Sequence, residues 1–442
     1  MSFRISNRKQ YEKFGQANAS ASGVSEPSLS PRATSAPRGD PETYRSEEVQ
    51  TLLESAAYFS IFNAPNPANP NEPVLLIPGL QFLMTAVYVN EELHRFEFIN
   101  QAPTGQTGFR TSKTIGEPVA NVHIRFTPIP WNFEAAPGKC PPTTLLIPFI
   151  SQRVAMLEGQ LVFKDSLKSG FKAFGTARTF PVSVGGKSQL RVGAAIEILE
   201  GIGRFKGLTG AFVINGYIEP PHGLALNLMV RIVDPKGTLQ AHAPPPFTPI
   251  QPIPDPDPAA AFLVFLGEPD PERPITLNRS TDGRVISANI HERLRLAHIL
   301  FDLTTPEDLR SQTTQGPIVG TRSSTLYFYT DPAHPAPVSP LQDINSVFTF
   351  FDPQGRVTGT LTANMVEGRA FATELSEAPG PILRLTGFGP FISGTGQFEN
   401  ASGMMSINGV LSLFPRAVSR LYVFRMEDSD GKFQTMVKNF RT

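Results

Sequence analysis

Short segments in which apolar and polar residues alternate recur along the chain and predict β-strands. Residues 122–129 (VHIRFTPI) and 324–331 (STLYFYTD) alternate, and residues 224–234 (LALNLMVRIVD) place leucine, valine and isoleucine on one face. Side chains of a strand point to opposite faces in turn, so each segment has an apolar face to bury. Turn residues separate the segments at short intervals, which is typical of an all-β sandwich or barrel.

Two segments have a helical pattern instead. Residues 46–59 begin with a serine suited to an N-cap, followed by two glutamates, and predict a helix. Residues 289–302 space Ile290, Leu294, Ala297 and Phe301 as on a helix face, although this segment is also compatible with a strand.

The chain repeats itself at an offset of 193 residues, and no gap is needed from residue 175 to residue 218. Twelve aligned positions are identical, where ordinary residue frequencies give about two or three. The identical pairs are Gly175/Gly368, Ala177/Ala370, Ser183/Ser376, Leu190/Leu383, Arg191/Arg384, Gly201/Gly394, Gly203/Gly396, Phe205/Phe398, Gly210/Gly403, Ile214/Ile407, Asn215/Asn408 and Gly216/Gly409. A unit of this length is too long for a solenoid repeat and indicates a duplicated domain.

A proline-rich segment separates the two copies. Residues 235–258 contain nine prolines in 24 positions, a composition that favours an extended, semi-rigid spacer. The sequence therefore predicts two tandem antiparallel β-barrels of eight strands, related by internal duplication and joined by a Pro-rich linker. The predicted bounds are 1–43 for a disordered segment, 44–234 and 259–430 for the barrels, and 431–442 for a tail.

The glycines of the repeat suit places where a strand bends or where one backbone approaches another. Phe205 is expected to fill the space that Gly201 and Gly203 leave. The pair Asn215-Gly216 is compatible with a two-residue hairpin turn, but the apolar run continues beyond it and favours a bulged strand with an inward asparagine. A phosphate-binding loop is disfavoured, because such a loop precedes a helix in a βαβ unit.

The pattern Gly-x-Gly-x-Phe, a further Gly five residues on and then an apolar strand resembles the C-terminal half of allene oxide cyclase and dirigent barrels. The closer likeness to dirigent proteins is at residues 394–403, and that to the cyclases is at 203–212. The resemblance implies an eight-stranded antiparallel barrel with an apolar interior that acts on a small hydrophobic molecule. It covers about 40 residues of each copy, and the catalytic carboxylates of those families have no matching positions here.

Composition narrows the function classes. Lysine plus arginine equals aspartate plus glutamate at 39 each, which argues against a nucleic-acid binder. No apolar run is long enough for a transmembrane segment. The first residues have no apolar signal core; residues 1–40 loosely resemble a transit peptide, but their composition favours disorder, and a cytoplasmic protein is expected. The single cysteine, Cys140, forms no intrachain disulfide, and no histidine spacing predicts a metal site; no cofactor is expected.

Glu197 is the candidate catalytic residue. It lies between Ile196 and Ile198 on a predicted strand, so it faces away from both. Inside an apolar barrel its pKa would rise and suit general acid catalysis; the alternative is a glutamate facing solvent. Its counterpart in the second copy is Pro390, which favours the first barrel as the active one.

Arg191, Arg384, Asn215 and Asn408 are the candidate substrate-binding residues, because each type recurs at the same place in both copies. A guanidinium can bind a carboxylate and an amide can point into a cavity. The alternatives are a structural ion pair for the arginines and a structural role for the asparagines.

Three hypotheses of function follow. The first is a cyclase or isomerase of a hydrophobic small molecule, in which the cavity selects a reactive conformer. The second is a non-catalytic carrier of a lipid-like ligand. The third is a structural protein with barrels filled by their own side chains, as is common in small barrels.

Overall fold

The structure is a computed structural model. It describes residues 49–51, 55–63, 87–103, 108–128, 152–184, 187–219, 223–239, 249–255, 257–303, 309–329, 338–373, 382–413 and 415–434. The predicted disordered segment and Cys140 lie outside the described residues.

The first half of the chain forms a closed antiparallel barrel in which strands pair in chain order. Its eight strands are β1 (Ala56–Asn63), β2 (Val87–Gln101), β3 (Arg110–Pro128), β4 (Gln152–Phe163), β5 (Gly170–Val184), β6 (Lys187–Ile202), β7 (Thr209–Glu219) and β8 (Gly223–Val233). Pairing of β1 with β8 closes the ring. No edge strand of this barrel is left to pair with another chain.

The second half forms a second ring of eight strands with two additional short strands. Its strands are β9 (Ala260–Pro269), β10 (Thr276–Arg279), β11 (Val285–Asp302), β12 (Arg310–Phe328), β13 (Val338–Phe351), β14 (Val357–Ala363), β15 (Glu367–Thr373), β16 (Ile382–Gly396), β17 (Gly403–Leu413) and β18 (Arg416–Glu427). The ring closes through β18–β9 and β9–β11, while β10 and β15 pair beside it. The predicted all-β fold with two eight-stranded barrels is confirmed.

Strand register confirms the duplication. Asn215 of β7 pairs with Gly193 of β6, and Asn408 of β17 pairs with Thr386 of β16, so the two asparagines occupy equivalent places. The offset is 193 residues in both strands of each pair. The register of β7 is continuous through Asn215-Gly216, so the expected bulge is wrong and the segment is a regular strand.

The glycine-phenylalanine motif is a tight turn at the end of β6 and of β16. Gly203 and Gly396 have φ of 61° and 60°, a conformation that glycine adopts without strain. Gly203–Phe205 form one turn of 3-10 helix, and Phe205 is fully buried among phenylalanines of the first barrel, 5.6 Å from the Phe163 ring centroid. The expected role of Phe205 as the filler of this corner is confirmed.

The helix expected at 46–59 is wrong in its second half. Residues 49–51 are helical, but strand β1 begins at Ala56 and pairs with β8 along its whole length. For residues 289–302 the strand alternative is the correct one, because they belong to β11, whose long register with β12 outweighs the helical spacing. No described helix is long and apolar enough to cross a membrane.

Each barrel contributes a hairpin end to the core of the other. Phe109, next to the start of β3, is buried among apolar residues of the second barrel. Phe301 and Leu309, at the ends of β11 and β12, are buried in the core of the first barrel. The two barrels are therefore packed by exchange of side chains as well as by a shared interface.

Similar turns after β8 and β18 hold these hairpin ends. Asp234 accepts hydrogen bonds from the backbone N–H of Leu239, and Asp428 accepts from that of Phe433. The carbonyl of Leu239 then accepts from the Ser311 N–H at 2.8 Å, and that of Phe433 from the Thr111 N–H at 2.7 Å. The start of the segment predicted as a linker is thus part of the packing between the barrels.

Candidate functional site

All five residues selected from the sequence lie where the two barrels meet. Arg191 Nη1 donates to the Gly403 carbonyl at 2.9 Å, and Arg384 Nη1 donates to the Gly210 carbonyl at 2.9 Å. Donors and acceptors are themselves equivalent positions of the repeat. The arginines therefore make the same contact twice, as expected for an interface with approximate two-fold symmetry.

The two asparagines also make equivalent contacts across the interface between the barrels. Asn215 Nδ2 donates to the Met404 and Val423 carbonyls at 2.9 and 3.4 Å. Asn408 Nδ2 donates to the Ala211 and Met229 carbonyls at 2.8 and 3.0 Å. Both side chains face the other barrel rather than their own interior, which corrects the expectation of an inward asparagine.

Glu197 also faces the second barrel. Its neighbours Ile196 and Ile198 point into the first barrel, and Glu197 Oε1 lies 2.6 Å from Arg384 Nη2. Glu197 faces away from both isoleucines, as predicted, but its side chain contacts the second barrel and faces neither solvent nor a cavity. A catalytic role for Glu197, and substrate binding by the arginines and asparagines, stay predictions.

A cluster of charged side chains that sequence reasoning missed lies inside the second barrel. We call Glu292, Arg322, Asp343, Arg420 and Tyr422 the charged layer. All five are 0–1% exposed, and they alternate along their strands with residues that face outward. Buried Ser346 accepts from Arg322 Nη2 at 2.7 Å and donates to Asp343 Oδ1 at 2.9 Å. Apolar neighbours on the inward face include Leu294 and Phe348. The layer is thus a polar zone within an apolar interior.

Ion pairs and hydrogen bonds connect the layer. Arg322 Nη1 donates to Glu292 Oε2 at 2.7 Å, and its Nη2 binds Asp343. Tyr422 Oη donates to the same Glu292 oxygen at 2.6 Å. Arg420 lies 3.3 Å from Glu292 Oε1 and 3.5 Å from Asp343 Oδ2. Two arginines thus balance two carboxylates, which is what makes burial of four charges tolerable.

The environment shifts the pKa of two groups of the layer, Tyr422 and Arg322. Burial raises the pKa of the Tyr422 phenol well above its ordinary value, so the hydroxyl stays protonated and acts as a donor. Burial alone would lower the pKa of the Arg322 guanidinium, but Asp343, Tyr422 and Glu292 together raise it. Arg322 also lies over the rings of Tyr422 and Phe348, 5.1 and 5.6 Å from their centroids.

Arg420 has donors that the layer does not use. Within the described part of the chain, its Nη2 is buried and has no hydrogen-bond partner, and its Nε reaches Glu292 Oε1 only as an ion pair. A buried donor without an acceptor costs free energy of about 1–3 kcal/mol. Glu292 Oε1 and Arg322 Nε of the layer are likewise buried without a hydrogen-bond partner among the described residues. The Nη2 donor of Arg420 is suited to an acceptor atom supplied by a ligand.

The first barrel has apolar residues at three of the matching positions. Strand register aligns Arg322 with Val122, Arg420 with Leu226, and Tyr422 with Leu228. All three of these residues belong to the apolar core of the first barrel. The charged layer belongs to the second barrel, whereas the sequence drew attention to Glu197 of the first; the expectation that the first barrel is the active one stays a prediction.

A signal for the layer was present in the sequence. In residues 419–427 (SRLYVFRME), Arg420 and Tyr422 are in phase with Phe424, which is the inward phase. Gly267 is a second trace of it, because a β-carbon there would come 2.7 Å from Glu292 Oε1 and 2.8 Å from Tyr422 Cε2. Knowing which alternate residues of a strand face the barrel interior would have identified these charged residues; alternation by itself does not show which face is the inner one.

Among the described residues, no group of three histidine, cysteine, aspartate or glutamate side chains is placed to hold a metal ion. Two histidines lie on β11. His291 Nδ1 is 2.9 Å from Ser323 Oγ, with which it forms a hydrogen bond, and His298 is half-buried. Burial lowers the pKa of both.

The architecture is therefore that of a tandem two-barrel protein with a charged layer inside one barrel. The sequence matches no known family model, and no curated protein matches it. A crystal structure of a protein of unknown function from the DUF3598 family of Nostoc punctiforme covers 78% of this chain and 96% of its own, at 10% identity and a TM-score of 0.14. Similarity of that degree carries no argument about function, and the resemblance to allene oxide cyclase and dirigent barrels stays a prediction.

Proposed function

We propose that the protein binds a small, neutral and mainly apolar molecule inside the second barrel. The observation that carries the proposal is the unused Nη2 donor of Arg420, buried in the middle of an apolar interior. A few polar groups that fix orientation within an apolar wall are the usual composition of a small-molecule site. The ligand's acceptor would be a carbonyl, ether or hydroxyl oxygen.

Charge balance is the reason for a neutral ligand. The layer already pairs Arg322 and Arg420 with Glu292 and Asp343. An anionic ligand would add a buried charge without a counter-charge, and such a charge is expensive in an apolar interior. A neutral oxygen accepts from Arg420 at no such cost.

The test is extraction of bound small molecules from the purified protein, followed by mass spectrometry, for the native chain and the variant Arg420→Lys. Lysine keeps the positive charge but lacks the planar fork of donors. We expect the native protein to retain a neutral apolar compound and the variant to lose it. The matched control is Arg425→Lys on the same strand, because Arg425 is equally buried but pairs with Asp257 and Glu427 outside the barrel interior.

Retention of the same compound by Arg420→Lys, or its loss from both variants alike, would contradict the proposal. If every compound extracted from the native protein is also extracted from Arg420→Lys, the charged layer has no part in binding. A thermal unfolding curve for each variant separates loss of ligand from loss of fold.

A cyclase or isomerase is the second candidate, and the protonated Tyr422 phenol beside two arginines favours it. The phenol can give its proton to a ligand oxygen, and the guanidinium of Arg322, 5.1 Å from the ring centroid, would then stabilise the phenolate that remains until the proton returns. Once the compound is known, Tyr422→Phe should retain binding and lower turnover by about 10²-fold, the usual scale of acid–base catalysis. Unchanged turnover would leave the protein as a carrier.

A further inference from the structure

The ring of Phe109 belongs to the first half of the chain but lies in the interior of the second barrel. It is fully buried, and its centroid lies 5.6 Å from that of Phe265, 5.2 Å from Phe350 and 6.2 Å from Phe398. The backbone N–H of Phe109 donates to Gln397 Oε1 at 2.8 Å. A residue of one barrel thus completes the apolar wall of the other.

A continuous column of aromatic rings leads from Phe109 to the charged layer. Phe265 lies 5.2 Å from Phe424, which lies 4.8 Å from Phe348. Phe348 in turn lies 5.5 Å from Tyr422, a member of the layer. The apolar part of a ligand bound by Arg420 and directed along this column would extend towards Phe109.

We propose that Phe109 is a specificity-determining residue of the second barrel, which limits the length of the apolar part that the barrel accepts. The inference rests on the proposed function, since it supposes a ligand held at the charged layer. It adds that the first barrel supplies a wall of that site. The substrate class is then a short aromatic or alicyclic ketone, ether or alcohol rather than a long-chain lipid.

The first barrel provides a matched control. Leu309 of the second half is buried in the core of the first barrel, as Phe109 is in the second. Leu309→Ala and Phe109→Ala each shorten a side chain that one barrel inserts into the other. Only the second of these changes opens the interior that contains Arg322 and Arg420, because Val122 and Leu226 are the residues of the first barrel in register with them.

The experiment is a fluorescence titration of the full chain with prodan, a neutral naphthyl ketone with emission that shifts to longer wavelength when its carbonyl accepts a hydrogen bond. Phe109→Ala is expected to bind prodan about tenfold more tightly than the native protein, which corresponds to about 1.4 kcal/mol. The emission of the bound probe should shift to longer wavelength. Leu309→Ala should show no such shift, and anilinonaphthalene sulfonate, an anionic probe of similar size, should gain little in Phe109→Ala.

The outcomes separate the two proposals. Equal affinity of native protein and Phe109→Ala for prodan would overturn the role of Phe109, while binding that depends on Arg420 would leave the proposed function intact. If Phe109→Ala gains affinity but adding Arg420→Lys changes neither affinity nor emission, the size limit holds and the charged layer is not the binding group. Phe109→Leu, a smaller change, should give an intermediate gain in affinity. A thermal unfolding curve for each variant separates a change in binding from loss of fold.

Discussion

Asn408 is the residue in which the sequence pattern and the structure meet most directly. Its amide nitrogen donates to two carbonyls of the other barrel, and Asn215 does the same in reverse. A repeated residue that faces a cavity and one that faces a symmetric interface leave the same trace in a sequence. Only the partner atoms decide between these two roles.

Replacing Asn408 with alanine should lower the free energy of unfolding by about 1–3 kcal/mol, because two buried carbonyls lose a donor. Asn408→Asp should cost more, since a carboxylate would face those carbonyl oxygens. Urea unfolding measures both changes. Asn278→Ala is the control: that side chain is exposed and donates only to Ser287, so the expected change is within about 0.5 kcal/mol. Equal losses of stability in Asn408→Ala, Asn408→Asp and Asn278→Ala would show that the Asn408 hydrogen bonds do not stabilise the interface between the barrels.

At the scale of the element, the glycines at the end of β6 decide how the strand enters the turn. A β-carbon at Gly201 would overlap the carbonyl oxygen of Phe205, and one at Gly394 would overlap that of Phe398. Backbone approaches backbone at these corners, so the side chain must be absent. This is the reason why the pattern is repeated in both halves.

Gly201→Ala should therefore lower the free energy of unfolding by about 3 kcal/mol, as expected when a side chain is forced into a packed place. Gly207→Ala is the matched control in the same turn, with φ of 78° and open space around the β-carbon position. There only the left-handed backbone is disfavoured, at about 1 kcal/mol. Thermal or urea unfolding of the two variants gives the comparison, and a smaller effect at Gly201 than at Gly207 would contradict the close approach.

At the scale of the whole molecule, exchange of hairpin ends couples the two barrels. Phe109 completes one core, Phe301 and Leu309 complete the other, and Arg191 and Arg384 cross the interface between them. Neither core is complete without the other half of the chain. The tandem duplication has here produced two barrels whose cores share side chains.

We expect a single unfolding transition, with equal calorimetric and van't Hoff enthalpies, because opening either barrel exposes part of the other core. Differential scanning calorimetry measures this. The double variant Arg384→Ala, Asn408→Ala removes interface contacts but no core side chain, and it should broaden or split the transition. Two resolved transitions in the native protein would show that the barrels unfold independently.

The sequence by itself determined the fold class, the duplication and the corner glycines, because each depends on local spacing: strand period, turn chemistry and identity at a constant offset. It also selected Arg191, Asn215, Glu197, Arg384 and Asn408 as special positions. Tertiary structure alone decided what these residues contact, since a strand's outer face has no mark that distinguishes solvent from a partner barrel. The same holds for the charged layer, where Glu292, Arg322 and Tyr422 come from three separate strands and only barrel closure brings them within hydrogen-bond distance.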